Sequence, residues 1–130
     1  MNFSLTEEQK TLRESIIRFA RKELNEDVAG RDREETFRRD LWLKYGEVGI
    51  QGLPVPEEYG GSGFDAVSTA VALEALGYGC HDSGLIFSMC AHLLPCVVPI
   101  WQFGTEGQKR RFLPDLCSGW QFMGNLIENR

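Results

Sequence analysis

Apolar residues at Leu5, Leu12, Ile16, Phe19, Ala20 and Leu24 recur close to the 3.6-residue period of an α-helix, while Arg13, Glu14, Arg18, Arg21 and Lys22 fall largely elsewhere. This segregation predicts an amphipathic first helix, with Ser4-Leu5-Thr6-Glu7 as a capping box at its start. A charged loop over residues 27–34 ends it. A second helix is expected over residues 35–47, with Phe37, Leu41, Trp42 and Tyr45 on one side and Gly46 or Gly49 as the stop. Asp65 can cap a third, residues 66–76, whose many small side chains let neighbouring helices approach closely. Gly77-Tyr78-Gly79 terminates it. Asp82 or Ser83 then opens a strongly apolar helix that Pro95 bends or ends, and Thr105-Glu106-Gly107-Gln108 is a second capping box opening a short basic helix. The stretch from Trp120 through Phe122, Met123 and Leu126 to Ile127 reads as a strand with nothing in the chain to pair with. The expected fold is all-α.

Composition changes this picture little. The chain has 130 residues, room for one domain with a real core. With 14 Lys plus Arg against 19 Asp plus Glu, its formal charge of −5 offers no long-range attraction for nucleic acid or an anionic membrane. Arg31, Arg33, Arg38 and Arg39 alternate with acids, the pattern of a solvated face. Cys80, Cys90, Cys96 and Cys117 form no C-x-x-C pair and no secretory leader is recognisable, so reduced thiols and a cytoplasmic location are expected. Residues 84–101 carry only Ser88 and His92 as clearly polar side chains, but Pro95 and Pro99 interrupt them. A helix buried in a bundle is favoured over a membrane span.

Between the second and third helices lies the most specific segment, Gly49-Ile50-Gln51-Gly52-Leu53-Pro54-Val55-Pro56-Glu57-Glu58-Tyr59-Gly60-Gly61-Ser62-Gly63. Its glycines and prolines predict an ordered connector with a defined path. A second cluster follows at Gly104-Thr105-Glu106-Gly107-Gln108-Lys109 and Leu113-Pro114-Asp115-Leu116-Cys117-Ser118-Gly119. With these motifs in this order, the chain from about Leu5 to Gly119 resembles the N-terminal helical domain of the acyl-CoA dehydrogenase family. The resemblance implies a bundle of about five to six helices. It divides the chain into that domain at residues 1–119 and the start of a β-domain at 120–130.

Other chemistry finds less support. Gly61-Ser62-Gly63-Phe64-Asp65-Ala66 fits a dinucleotide fingerprint, but prolines and two carboxylates stand where a hydrophobic strand should precede it. His92 and Cys96 are four apart, with Cys80 and His81 as further ligand candidates, yet nothing completes a regular metal-ligand spacing, so no metal is expected. No G-x-S-x-G occurs, and Glu57, Glu58 and Glu74 read as helix-end and packing carboxylates. No catalytic residue is assigned. Phe87, Ala91 and either Leu94 or Pro95 share one face of the apolar helix, and plain core packing explains them equally well.

In the family this helix lines the deep end of the acyl pocket, so the resemblance makes Phe87, Ala91, Leu94 and Pro95 substrate-binding candidates. It further implies FAD in the complete protein, an acyl thioester substrate, α-proton removal by a Glu outside this domain and hydride transfer to the flavin. Where the family's Thr-Glu-Pro segment opens the β-domain, this chain reads Asn125-Leu126-Ile127-Glu128-Asn129-Arg130, without the Thr and Pro. The chain by itself is therefore expected to be neither catalytic nor flavin-bound, and to self-associate or seek a partner through its uncovered surface. The alternative is a non-catalytic helical module, derived from the family, that binds a partner there.

Overall fold

The computed structural model describes residues 4–122. Among them are six helices and no strand: α1 (Glu7–Glu23), α2 (Val28–Arg33), α3 (Arg39–Glu47), α4 (Ala66–Gly79), a continuous α5 (Ser83–Phe103) and α6 (Glu106–Cys117). The all-α bundle expected from the sequence is the fold. Residues 120–122, the described part of the expected strand, form a bend at 120–121 and no regular element; Met123, Leu126 and Ile127 lie outside the described residues.

The α1 capping box is closed by Thr6 and Gln9 rather than Ser4 and Glu7. The Thr6 hydroxyl accepts from the Gln9 amide at 3.2 Å and the Gln9 side-chain oxygen accepts from the Thr6 amide at 3.1 Å. Ser-x-x-Glu and Thr-x-x-Gln overlap two residues apart, and the helix uses the second. Asp65 and Asp82 cap α4 and α5 as expected, and Thr105 with Gln108 closes the second box over α6.

The charged loop is not a loop throughout. Asp27, at φ 45°, caps the short α2 through its carboxylate and the Gly30 amide. The next helix then starts at Arg39, leaving Phe37 ahead of it.

Small residues do bring helices together. Ala72, Ala75, Leu76 and Gly79 of α4 are buried, as are Ile16, Ile17 and Ala20 of α1. A Cβ on Gly79 would stand 2.8 Å from that of Ala20 and 2.9 Å from the Ile17 carbonyl oxygen, so a larger residue there would push α1 and α4 apart.

The connector between α3 and α4 has the defined path its composition implies. Two single 3₁₀ turns, Ile50–Gly52 and Glu57–Tyr59, fold it back on itself. Amides of Ser62, Gly63 and Phe64 donate to carbonyls of Gly52, Val55 and Leu53 at 2.8–2.9 Å. At Gly61 a Cβ would lie 2.0 Å from the Val55 oxygen, a collision with backbone that no rotamer relieves. The connector and α6 are tied by the Tyr59 hydroxyl, which donates to Glu106 at 2.8 Å.

Candidate functional site

The helix α5 begins on an aspartate cap, runs regularly to His92, widens through a π-helical turn at Leu93–Val97 that contains Pro95, and resumes to Phe103. Proline has no amide hydrogen and its ring crowds the carbonyl four residues earlier, so the wider turn absorbs Pro95 without ending the helix. The expected break is thus a local widening. Leu85, Met89, His92, Leu93 and Val97 face the core. By length and composition alone α5 could cross a bilayer, and only 28% of its most apolar stretch is buried.

Phe87, Ala91, Leu94 and Pro95 lie on its other side. Phe87 is 74% exposed and Leu94 49%, Pro95 is exposed and Ala91 half-buried. Packing among the described residues therefore does not account for Phe87 and Leu94. The apolar run continues past them to Phe103, which is 87% exposed.

None of these four lines the cavity that opens beside the first half of the same helix. That cavity, about 680 Å³, lies among α2, the segment before α3 and the start of α5, with Ser83, Gly84, Leu85 and Ser88 contributed by α5. Leu41 and Leu85 are its buried apolar lining, and Arg31, Thr36 and Asp82 are among its polar lining.

Arg31 departs most from the sequence expectation. Instead of facing solvent it is 6% exposed, with Nη2 donating to the Leu24 carbonyl at 3.0 Å and 3.2 Å from the Asp82 carboxylate. Its Nε and Nη1 are buried and meet no acceptor among the described residues. Alternation with acids is true of residues 31–40 in sequence, but the six-residue α2 turns Arg31 inward, and nothing local announces it. Arg38 does behave as a surface cation, held bidentately to Asp40 at 2.7 and 2.6 Å, which lowers that carboxyl to about 2.

Behind α5, His92 is 1% exposed, and its Nε2 lies 3.0 Å from the Leu116 carbonyl, so that nitrogen carries the hydrogen. Nδ1 has no partner. Trp42 meets the ring edge-on at 5.1 Å and Phe122 stacks at 6.2 Å. Cys96 donates to the Ala91 carbonyl at 3.2 Å; these two metal-ligand candidates have separate structural partners. Cys80, Cys90, Cys96 and Cys117 are free thiols, and burial pushes that of Cys117 up to about 12.

Burial lowers the His92 pKa below its ordinary 6.5. The unfolded chain then binds a proton that the folded chain refuses, so this contribution to stability is present above about pH 6.5 and is lost as pH falls toward the folded value. The melting temperature is expected to drop between pH 7 and 5, before the carboxylates titrate, and His92→Phe should flatten that part of the profile. An equal slope in both proteins would show that His92 is not the group responsible.

A family profile described as acyl-CoA dehydrogenase, N-terminal domain, matches residues 6–120. Over 119 residues the chain is 40% identical to the L-prolyl-[peptidyl-carrier protein] dehydrogenase of Serratia sp. (strain ATCC 39006), covering 92% of this chain and 31% of that protein. It is 42% identical, with the same coverages, to the probable acyl-CoA dehydrogenase YngJ of Bacillus subtilis (strain 168). The fold matches the prolyl acyl carrier protein oxidase AnaB at a TM-score of 0.88 and 45% identity, covering 92% of this chain and 32% of that one. PigA with FAD and proline matches at a TM-score of 0.89 and 38% identity, covering 94% and 32%. The chain thus spans about a third of the length of these relatives, 31–32%. The agreement of family profile, sequence and helical fold over nearly all the described residues places this chain in the acyl-CoA dehydrogenase family, as its N-terminal helical domain.

Proposed function

We propose that this domain forms one wall of the acyl-thioester site in an FAD-dependent dehydrogenase, with Phe87, Ala91, Leu94 and Pro95 on the surface that meets the acyl group or the elements enclosing it. The observation that carries this reading is the outer face of α5, a run of apolar side chains left uncovered beside a well-filled core. Relatives named as acyl-CoA dehydrogenases and as prolyl carrier-protein dehydrogenases support a thioester substrate with either carrier.

The dinucleotide-like motif of this domain does not fit a flavin pyrophosphate. The glycines of Gly61-Ser62-Gly63 follow a 3₁₀ turn instead of a strand, and Val55 occupies the space against Gly61 that a phosphate cradle would need. The flavin is therefore assigned to the rest of the protein, and this domain's part is to bind and orient the acyl group and to exclude water from it.

In the full-length flavoprotein, anaerobic mixing with an acyl thioester should bleach the flavin absorbance. Phe87→Asp should raise KM about tenfold or more by placing a charge on the apolar wall, at unchanged flavin content. If no thioester of either carrier class bleaches the flavin, the dehydrogenase reading is wrong and the non-catalytic module takes its place. By itself the 130-residue chain should self-associate through the same face. Analytical ultracentrifugation over a concentration series tests this, and a strict monomer throughout would count against an unsatisfied surface.

A further inference from the structure

We propose that the cavity beside α5 receives the far end of the acyl group and selects an uncharged polar acyl group, one bearing a hydroxyl or an amide, with Arg31 as the specificity-determining residue. This rests on the reading above that α5 faces the acyl thioester. Gly84 and Ser88 line the cavity and are followed at helical spacing by Ala91, so the cavity is adjacent to the proposed wall along one strip of the helix. Its volume of about 680 Å³ falls within the range of small-molecule sites.

The polarity of the lining decides what fits. A plain alkyl end would remove water from the Arg31–Asp82 pair and return no hydrogen bond. A carboxylate would meet Asp32, Glu35 and Asp82 against only Arg31 and Arg38, an excess of one negative charge. A neutral oxygen acceptor meets neither penalty. Such an acceptor pairs with Nε and Nη1 of Arg31, unpaired and closed to solvent in the empty fold, once the lining side chains shift to admit it.

The test uses the full-length flavoprotein and pantetheine thioesters of one chain length ending in methyl, hydroxyl, amide or carboxylate. Flavin reduction gives kcat/KM, and calorimetry with the redox-inert thioether analogues gives Kd. The hydroxyl and amide ends should show a kcat/KM about tenfold higher and a Kd about tenfold lower than the methyl and carboxylate ends. Arg31→Met should erase that preference and Arg31→Lys should retain part of it. Should Arg31→Met fail to fold, Ser88→Leu, which fills the cavity from α5 without replacing Arg31, should weaken the polar thioesters about tenfold.

A wild-type preference for methyl or carboxylate, an Arg31→Met loss equal for all four ends, or no effect of Ser88→Leu overturns the inference while leaving the dehydrogenase intact. If none of the four reduces the flavin and none of the analogues binds, the reading beneath it fails and the inference falls with it.

Discussion

Trp42→Ala is expected to lower the unfolding free energy by about 3–5 kcal/mol, the largest single loss at any position in the bundle. Trp42 is fully buried on α3, edge-on to Tyr45 at 6.2 Å, to His92 at 5.1 Å and to Phe122 at 4.7 Å. Its indole N–H also donates to the Gly119 carbonyl at 3.1 Å, and its own carbonyl accepts from Gln51 at 3.1 Å. Truncation therefore removes the side chain that joins α3, α5 and the segment after α6, and leaves a cavity ringed by aromatics. Trp42→Phe keeps part of the ring packing and loses the donor, although Arg39 at 3.4 Å still reaches the Gly119 carbonyl, so a smaller loss of about 1–2 kcal/mol is expected. Urea denaturation of both variants, with m-values compared, measures this. An alanine variant within 1 kcal/mol (about the worth of one hydrogen bond) of the wild type would contradict the central place given to Trp42.

If α5 forms the proposed acyl wall, Ala91→Phe in a complete flavoprotein carrying this domain should penalise long acyl chains more than short ones. Each methylene denied burial loses about 0.8 kcal/mol, roughly fourfold in kcat/KM, so the deficit should widen geometrically along a chain-length series. Ala91 is half-buried on α5, between exposed Phe87 and Leu94, so the larger ring can be accommodated toward the open face without rebuilding the core. The assay is a saturated series on both proteins, normalised to flavin content. A loss equal at every length would remove Ala91 from the acyl wall and leave it with packing alone.

The sequence carried the helices well where caps and periodicity agreed. Asp65, Asp82 and Thr105 each mark a helix start by local hydrogen bonding that needs no distant partner. Ambiguity arose where two signals overlapped, as at Ser4 and Thr6, or where a helix was too short to show a period, as in α2. The four candidate residues on α5 were legible as a helical face, but not which way that face points. Apolar composition is the same for a core stripe and an uncovered one, and only packing separates Met89 at 0% exposure from Phe87 at 74%.

By itself, then, the amino-acid sequence determined the helical class, the starts of α4, α5 and α6, the ordered glycine-proline connector and the family, because these rest on interactions within a few residues or on motifs in a fixed order. Tertiary structure alone decided that Arg31 is buried on Asp82 beside a cavity, that His92 is held neutral beneath Trp42, and that Pro95 widens α5 without breaking it. Each joins residues tens of positions apart or balances a local defect against packing. Such outcomes depend on which surfaces the whole chain can bury together, and no window along the sequence contains that information.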